Sequence, residues 1–226
     1  MSLTDDPLPG GWTQRTVRVG RHTFNLRVPA NPDAVLECLE AAHPAARPHY
    51  VDPYWAKLWP AAEELARAVI ERAPRAAARV LELGCGSGLV GIAALATGRQ
   101  VTFSDYVPLA VELALENARV NGFALAQGMV LDWWQPQDAQ YDWIVGADLL
   151  YDRQNLAPLL TLLEGMLAPG GEAWFGDAGR SPAAEFLQMA SARGWSVALY
   201  DQAHRAVWTP ALGHYQRIVL RRQEAG

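Results

Sequence analysis

Lysine is almost missing from this 226-residue chain: Lys57 is the only one, and arginine carries the rest of the basic charge. Acids outnumber bases 24 to 19, so the formal net charge is −5 and the pI about 5.5. A broad basic surface for nucleic acid is therefore not expected. Cysteine is nearly as scarce. Cys38 and Cys85 sit in no CxxC and no His/Cys cluster, which supports neither a disulfide framework nor a zinc site. His22, His43, His49, His204 and His214 show no metal-ligand spacing; they read as surface residues, and no metal is expected. No apolar run approaches the ~18 residues of a membrane span. The opening MSLTDDPLPGG is acidic and lacks an apolar stretch, unlike a signal peptide. Internal repeats and low-complexity segments are absent too. Together these absences predict a soluble, cytoplasmic protein with no membrane or nucleic-acid partner, and they leave its oligomeric state open.

Apolar residues make up 50% of the chain, enough for one substantial core. TVRVGRHTFNLRV, 16–28, alternates apolar and polar residues on both sides of Gly20-Arg21 and predicts a β-hairpin. A short helix is expected from Asp33 to about Ala42, then a proline-punctuated aromatic segment, 43–60. From Lys57 to about Ala73, Leu58, Ala62, Leu65 and Val69 fall on one helical face. Strand and helix then alternate: ARVLEL, helix 89–97, QVTFSD, a helix from Pro108 to the Asn121-Gly122 turn, AQGMVLD, DWIVGADLL, helix 155–167, EAWFGD, and a helix capped by Ser181 that runs to about Ala192. WSVALY and YQRIVLRR follow with no helix between them. Such alternation predicts an α/β, doubly wound, Rossmann-like sheet. Seven strands are expected, mostly parallel with an antiparallel last one. Residues 1–54 form an extension (hairpin, short helix, aromatic linker) and 55–226 the main domain.

Ligands of such sheets lie beyond the carboxyl ends of the strands. There the chain places Gly84-Cys-Gly86-Ser-Gly88 after Glu82, and Asp105, Asp132, Asp148 and Asp177 in or at the ends of later strands. Gly86-x-Gly88-x-x-Gly91 also fits a dinucleotide fingerprint. Glu82 argues against it: a carboxylate beside a pyrophosphate costs roughly 4 kcal/mol per close like-charge pair. A ligand with an ammonium and no phosphate would be attracted instead. S-adenosylmethionine meets that description, with Asp105 accepting both ribose hydroxyls.

At this point ELGCGSG, the acid ending the next strand, LDW and LAPGG resemble the seven-strand S-adenosylmethionine-dependent methyltransferases. DPYWAKLWPAAEELAR, DLLY and GDAGR resemble, within them, the family 16 protein-lysine methyltransferases. The resemblance runs from about Asp52 to the C-terminus. It implies S-adenosyl-L-methionine as cofactor and a nitrogen acceptor, most plausibly lysine, in a methyltransferase domain at 55–226. Glu82, Gly84, Gly86, Gly88, Asp105, Tyr106, Asp132, Trp133 and Trp59 are the implied cofactor residues. Asp148 and Tyr151 are the implied catalytic pair, Asp148 handling the amine and Tyr151 also lining an aromatic acceptor rim. Asp177 and Arg180 are implied to shape the acceptor channel. Plainer readings compete: Asp148 as a helix cap and Tyr151 as core, Trp59 (with Tyr54 and Trp55) as a helix anchor, Asp177–Arg180 as an ordinary ion pair, the hairpin as a flap or an extra edge.

The chemistry explains the residue types. Attack on the sulfonium methyl needs a neutral amine, and freeing the lone pair of lysine at neutral pH costs about 4–5 kcal/mol. A hydrogen-bonding carboxylate and a desolvating aromatic rim both serve that end. A protein-lysine acceptor is expected first. A small-molecule amine on the same fold is the alternative; a nicotinamide-dependent reductase and a catalytically silent S-adenosylmethionine-binding module are more distant.

Overall fold

A computed structural model describes residues 8–42, 53–74 and 78–222. Its central sheet holds β3 (Arg79–Leu83), β4 (Gln100–Asp105), β5 (Gln127–Val130), β6 (Tyr141–Ala147), β7 (Leu167–Asp177), β8 (Trp195–Asp201), β9 (Ala206–Val207) and β10 (Gln216–Arg222). Their spatial order is β5-β4-β3-β6-β7-β10-β8-β9. The pairs from β5 to β7 are all parallel; β10 runs antiparallel to both β7 and β8. The α/β doubly wound architecture with a reversed last long strand is as expected. The sheet has eight strands rather than seven, because β9, antiparallel to β8, is only two residues long and too short to leave an alternation in the sequence.

Helices α2 (Pro60–Arg72), α3 (Leu89–Ala96) and α4 (Pro108–Val120) cover one face; α5 (Leu156–Met166) and α6 (Pro182–Ala192) cover the other. α2 begins at Pro60 rather than at Lys57: proline fits the first helical position, where its missing N–H would have no partner, and Trp59 before it is extended. Ser181 stands at the N-cap position of α6 as expected, but it is itself helical and its side chain makes no cap bond. Pro182 starts that helix.

The hairpin is β1 (Trp12–Val19) and β2 (His22–Pro29), in antiparallel register; α1 (Pro32–Ala42) follows it. Its apolar face, with Val17, Val19, Phe24, Leu26 and Val28, joins the same core as α2, α3 and the central strands. The outer edge of β2 is met by two asparagines one turn apart, Asn117 on α4 and Asn121 just past its end. Asn117 Oδ1 accepts from Arg27 N at 2.7 Å and its Nδ2 donates to Arg27 O at 3.0 Å; Asn121 does the same for Asn25 at 3.0 and 2.8 Å. Each amide completes a backbone donor and acceptor that an edge strand leaves open. The proline-rich segment at 43–52 lies outside the described residues.

Candidate active site

A cavity of about 510 Å³ opens at the carboxyl ends of β3, β4, β5 and β6, where the chain order switches direction across β3. Its floor is the loop after β3. Gly84 and Gly86 have φ of +57° and +47°. A Cβ on Gly84 would lie 2.7 Å from Leu149 Cδ2, and one on Gly86 would lie 3.0 Å from Trp55 O. Only glycine combines that conformation with such close neighbours, and the result is bare backbone lining the cavity.

The two acids beside this loop are already engaged in holding it. Asp105 accepts from Gly86 N at 3.1 Å with Oδ2 and from Val107 N at 3.0 Å with Oδ1. Glu82 accepts from Gly91 N at 2.9 Å, in the first turn of α3. Both are buried and both line the cavity. Burial raises the Glu82 carboxyl to about 8, against the pull of the Gly91 and Val90 amides, and the Asp105 charge adds to the rise. Burial likewise pushes the Cys85 thiol well up, which leaves it an inert part of the wall. Tyr106 lines the cavity and is partly exposed.

Opposite, the loop after β5 brings Asp132, Trp133 and Trp134 to the wall. Asp132 Oδ1 accepts from Trp134 N at 2.9 Å, fixing that turn. Leu149, just past β6, fills the space above Gly84 and Gly146.

The far wall is built around Asp148. Its backbone is left-handed at φ +56°, an unusual state for a side-chain-bearing residue, and its N–H donates to Gly176 O at 2.7 Å. That twist sends the buried carboxylate toward α2, where Oδ2 accepts from Ala61 N at 3.0 Å, and Oδ1 meets Arg180 Nε at 3.2 Å. Asp148 thus caps a helix, but one that precedes it in the chain by 87 residues. The Arg180 guanidinium also lies over the Trp59 ring at 5.3 Å. Lys57 Nζ stands at 5.3 Å from that ring, and Trp59 Nε1 donates to Tyr54 O at 2.9 Å. Tyr54 is edge-on to Trp59 at 5.6 Å and to Tyr151 at 5.4 Å. A continuous aromatic and cationic rim results.

Two residues expected at the site do not line the cavity. Gly88, at φ +80°, is where α3 packs on its neighbours: a Cβ there would lie 2.8 Å from Ala114 Cβ and 3.1 Å from Phe103. Asp177 is fully buried behind the site. Its Oδ1 accepts from Gly179 N at 2.7 Å, Arg180 N at 2.9 Å and Gln216 Nε2 at 3.2 Å, and burial raises its carboxyl. Asp177 shapes the turn that carries Arg180; it does not face the cavity, nor does it pair with the Arg180 side chain. Glu82, Gly84, Gly86, Asp105, Tyr106, Asp132, Trp133, Trp59, Asp148, Tyr151 and Arg180 all line one cavity. Trp134 and Leu149 also line it; adjacency to Trp133 is a usable signal for the first and adjacency to Asp148 for the second.

A sequence profile described as lysine methyltransferase matches residues 52–191. The chain is a member of the lysine methyltransferase family. Among relatives of this chain, the mouse (Mus musculus) electron transfer flavoprotein beta subunit lysine methyltransferase is 32% identical over 115 residues, 50% of this chain and 45% of that protein. Ribosomal protein L11 methyltransferase of Aeromonas hydrophila is 40% identical over 82 residues, 36% of this chain and 28% of the relative. The matched stretch therefore spans less than half the length of each of these relatives. The solved ribosomal protein L11 methylase of Lactobacillus delbrueckii subsp. bulgaricus shares the fold, with a TM-score of 0.62 at 20% identity, covering 93% of this chain and 100% of that one.

Proposed function

We propose that this protein is an S-adenosylmethionine-dependent N-methyltransferase acting on lysine side chains of a protein. The observation that carries the reading is that one cavity joins the bare glycine backbone to the Asp148–Tyr151 wall. Cofactor and acceptor sites of a methyltransferase must share a cavity in this way, because transfer is a direct displacement between them.

The chain's residues fit the cofactor. Gly84 and Gly86, held at positive φ, present backbone to the cavity along the loop. Asp105, at the end of β4 on the cavity wall, would take the ribose hydroxyls. Tyr106, Asp132 and Trp133 would line the adenosine end. Glu82 would face the ammonium, and Trp59 would close the other side. When bound, the cofactor supplies an electrophilic methyl group on a sulfonium.

At the far wall the protein's task is to present a neutral amine. The Tyr54, Trp59 and Tyr151 rings replace water there, which disfavours an ammonium. Arg180 adds to this, since a fixed cation lowers the pKa of a second cation beside it. Asp148, held by Ala61 N and Arg180, presents its remaining lone pairs to orient the amine. The methylated, still cationic product is tolerated on the ring faces. The hairpin, 12–29, and the sheet with its helices act as one folding unit, supported by their shared core. A cytoplasmic setting is part of the same proposal, supported by two unpaired cysteines, Cys38 and Cys85.

Arg180 also favours a second reading, a small-molecule amine bearing a carboxylate that the guanidinium would hold. One assay separates the two. Methyl-labelled S-adenosylmethionine is incubated with the protein and a cell extract, in parallel with purified electron transfer flavoprotein beta subunit and ribosomal protein L11, and the products are fractionated by size. Label in protein, recovered on hydrolysis as methyl-lysine, is expected. Label confined to the small-molecule fraction would establish the second reading instead.

A further inference from the structure

Trp208 is 97% exposed and Leu212 72% exposed, both on the loop between β9 and β10. Large apolar side chains held out in water favour contact with something, and tryptophan is the residue most enriched in the energetic centres of protein interfaces. Their position is not arbitrary. Gly213 N donates to Gly179 O at 2.9 Å. A Cβ on Gly179 would lie 2.5 Å from Ala211 O and 2.6 Å from Gly213 N and His214 N. The loop backbone is therefore seated directly on the turn whose next residue, Arg180, lines the cavity. Leu212 lies between the two seated residues. Trp208 is three residues from Ala211, within about 11 Å along the chain.

We infer that this loop is the docking surface for the folded protein that presents the acceptor lysine. The inference rests on the protein-lysine reading given above. A small amine would be enclosed by the cavity and would never reach Trp208. A protein inserting one side chain must lay its surrounding surface across the rim, and the turn that carries Arg180 on that rim is the one on which the loop bearing Trp208 and Leu212 is seated. The segment from Gln202 to His214 contains no aspartate or glutamate, and its one arginine, Arg205, is paired with Asp201 at 2.8 Å. The loop itself offers an apolar surface that carries no acid of its own and whose one arginine is paired, suited to an apolar patch on the acceptor.

The test uses the acceptor protein labelled in the assay above and, beside it, the short peptide around its methylated lysine. Trp208→Ser, Leu212→Ser and the double variant are compared with wild type at saturating cofactor. The double variant should lose about 30-fold in kcat/KM on the intact acceptor, the scale of a tryptophan at an interface centre. Its rate on the peptide and its affinity for S-adenosylhomocysteine should stay within about twofold, since neither side chain touches the cavity. Equal rates on the intact acceptor overturn the inference, and so does an equal loss on the peptide. A variant that only turns a dimer into a monomer, with acceptor kinetics unchanged, also overturns it, assigning the loop to self-association. If wild type labels no protein at all, the lysine reading itself has failed, and this inference falls with it.

Discussion

At the scale of single residues, the site is a set of carboxyl groups whose first duties are structural. Glu82 holds the start of α3, and its burial raises it to about 8. It is therefore mostly protonated at pH 7. A ligand ammonium placed against it favours the charged form, so binding should expel a proton. The sign follows: affinity for S-adenosylhomocysteine should rise as pH climbs toward 8 and level off above it. Calorimetry at pH 7 in buffers of different ionisation enthalpy should show net proton release, and Glu82→Gln should abolish it. A pH-independent affinity would mean that the ammonium sits elsewhere. Asp148 is a different case, because its two oxygens are shared between Ala61 N and Arg180. Asp148→Asn keeps an acceptor and the shape but removes the charge. The single-turnover rate should fall by roughly 10²–10⁴, as for a residue that manages a proton, while cofactor affinity changes far less. A near-normal rate would leave proximity and desolvation to account for catalysis.

At the scale of elements, Asn117 is the joint to examine. Its side chain is fully buried. Besides its two bonds to Arg27, its Nδ2 donates to Ser87 O at 2.9 Å, in the glycine loop. One amide thus ties the hairpin, α4 and the cofactor floor together. Asn117→Ala would leave several buried backbone groups unpaired, each costing about 1–3 kcal/mol. Melting temperature should drop by several degrees and S-adenosylhomocysteine should bind more weakly, as thermal and calorimetric titrations would show. Lost stability with unchanged affinity would restrict Asn117 to the hairpin. The hairpin, the main helices and most of the strands were legible, because each carries its own local period or run of apolar residues. The joint between them was not. Asn117 lies in an ordinary helical sequence, 90 residues from Arg27, and no local pattern connects the two. The missing side-chain bond of Ser181 was illegible for a related reason: the Asp177 carboxylate already organises that turn through Gly179 N and Arg180 N.

At the scale of the whole molecule, the place of the site was legible because strand order alone decides which loops meet. The use of each residue was less so. Gly88 belongs to the same run as Gly84 and Gly86, yet it serves helix packing, since spacing does not reveal which side of a loop faces the ligand. The Asp148–Arg180 pair spans 32 residues and exists only because β6 and β7 are neighbours. The cofactor reading has a global test: S-adenosylhomocysteine at a hundredfold excess over its Kd should stabilise the fold by about 2.7 kcal/mol, and NAD should not. Stabilisation by NAD alone would return the glycine loop to a dinucleotide. The insertion of β10 between β7 and β8 has a consequence for synthesis. On a ribosome the chain emerges in order, and the glycine loop is delivered long before Gln216, which secures Asp177, or Gly213, which secures Gly179. A nascent chain can close its cofactor floor while its acceptor wall still lacks a prop, and the two halves of the cavity mature at different times.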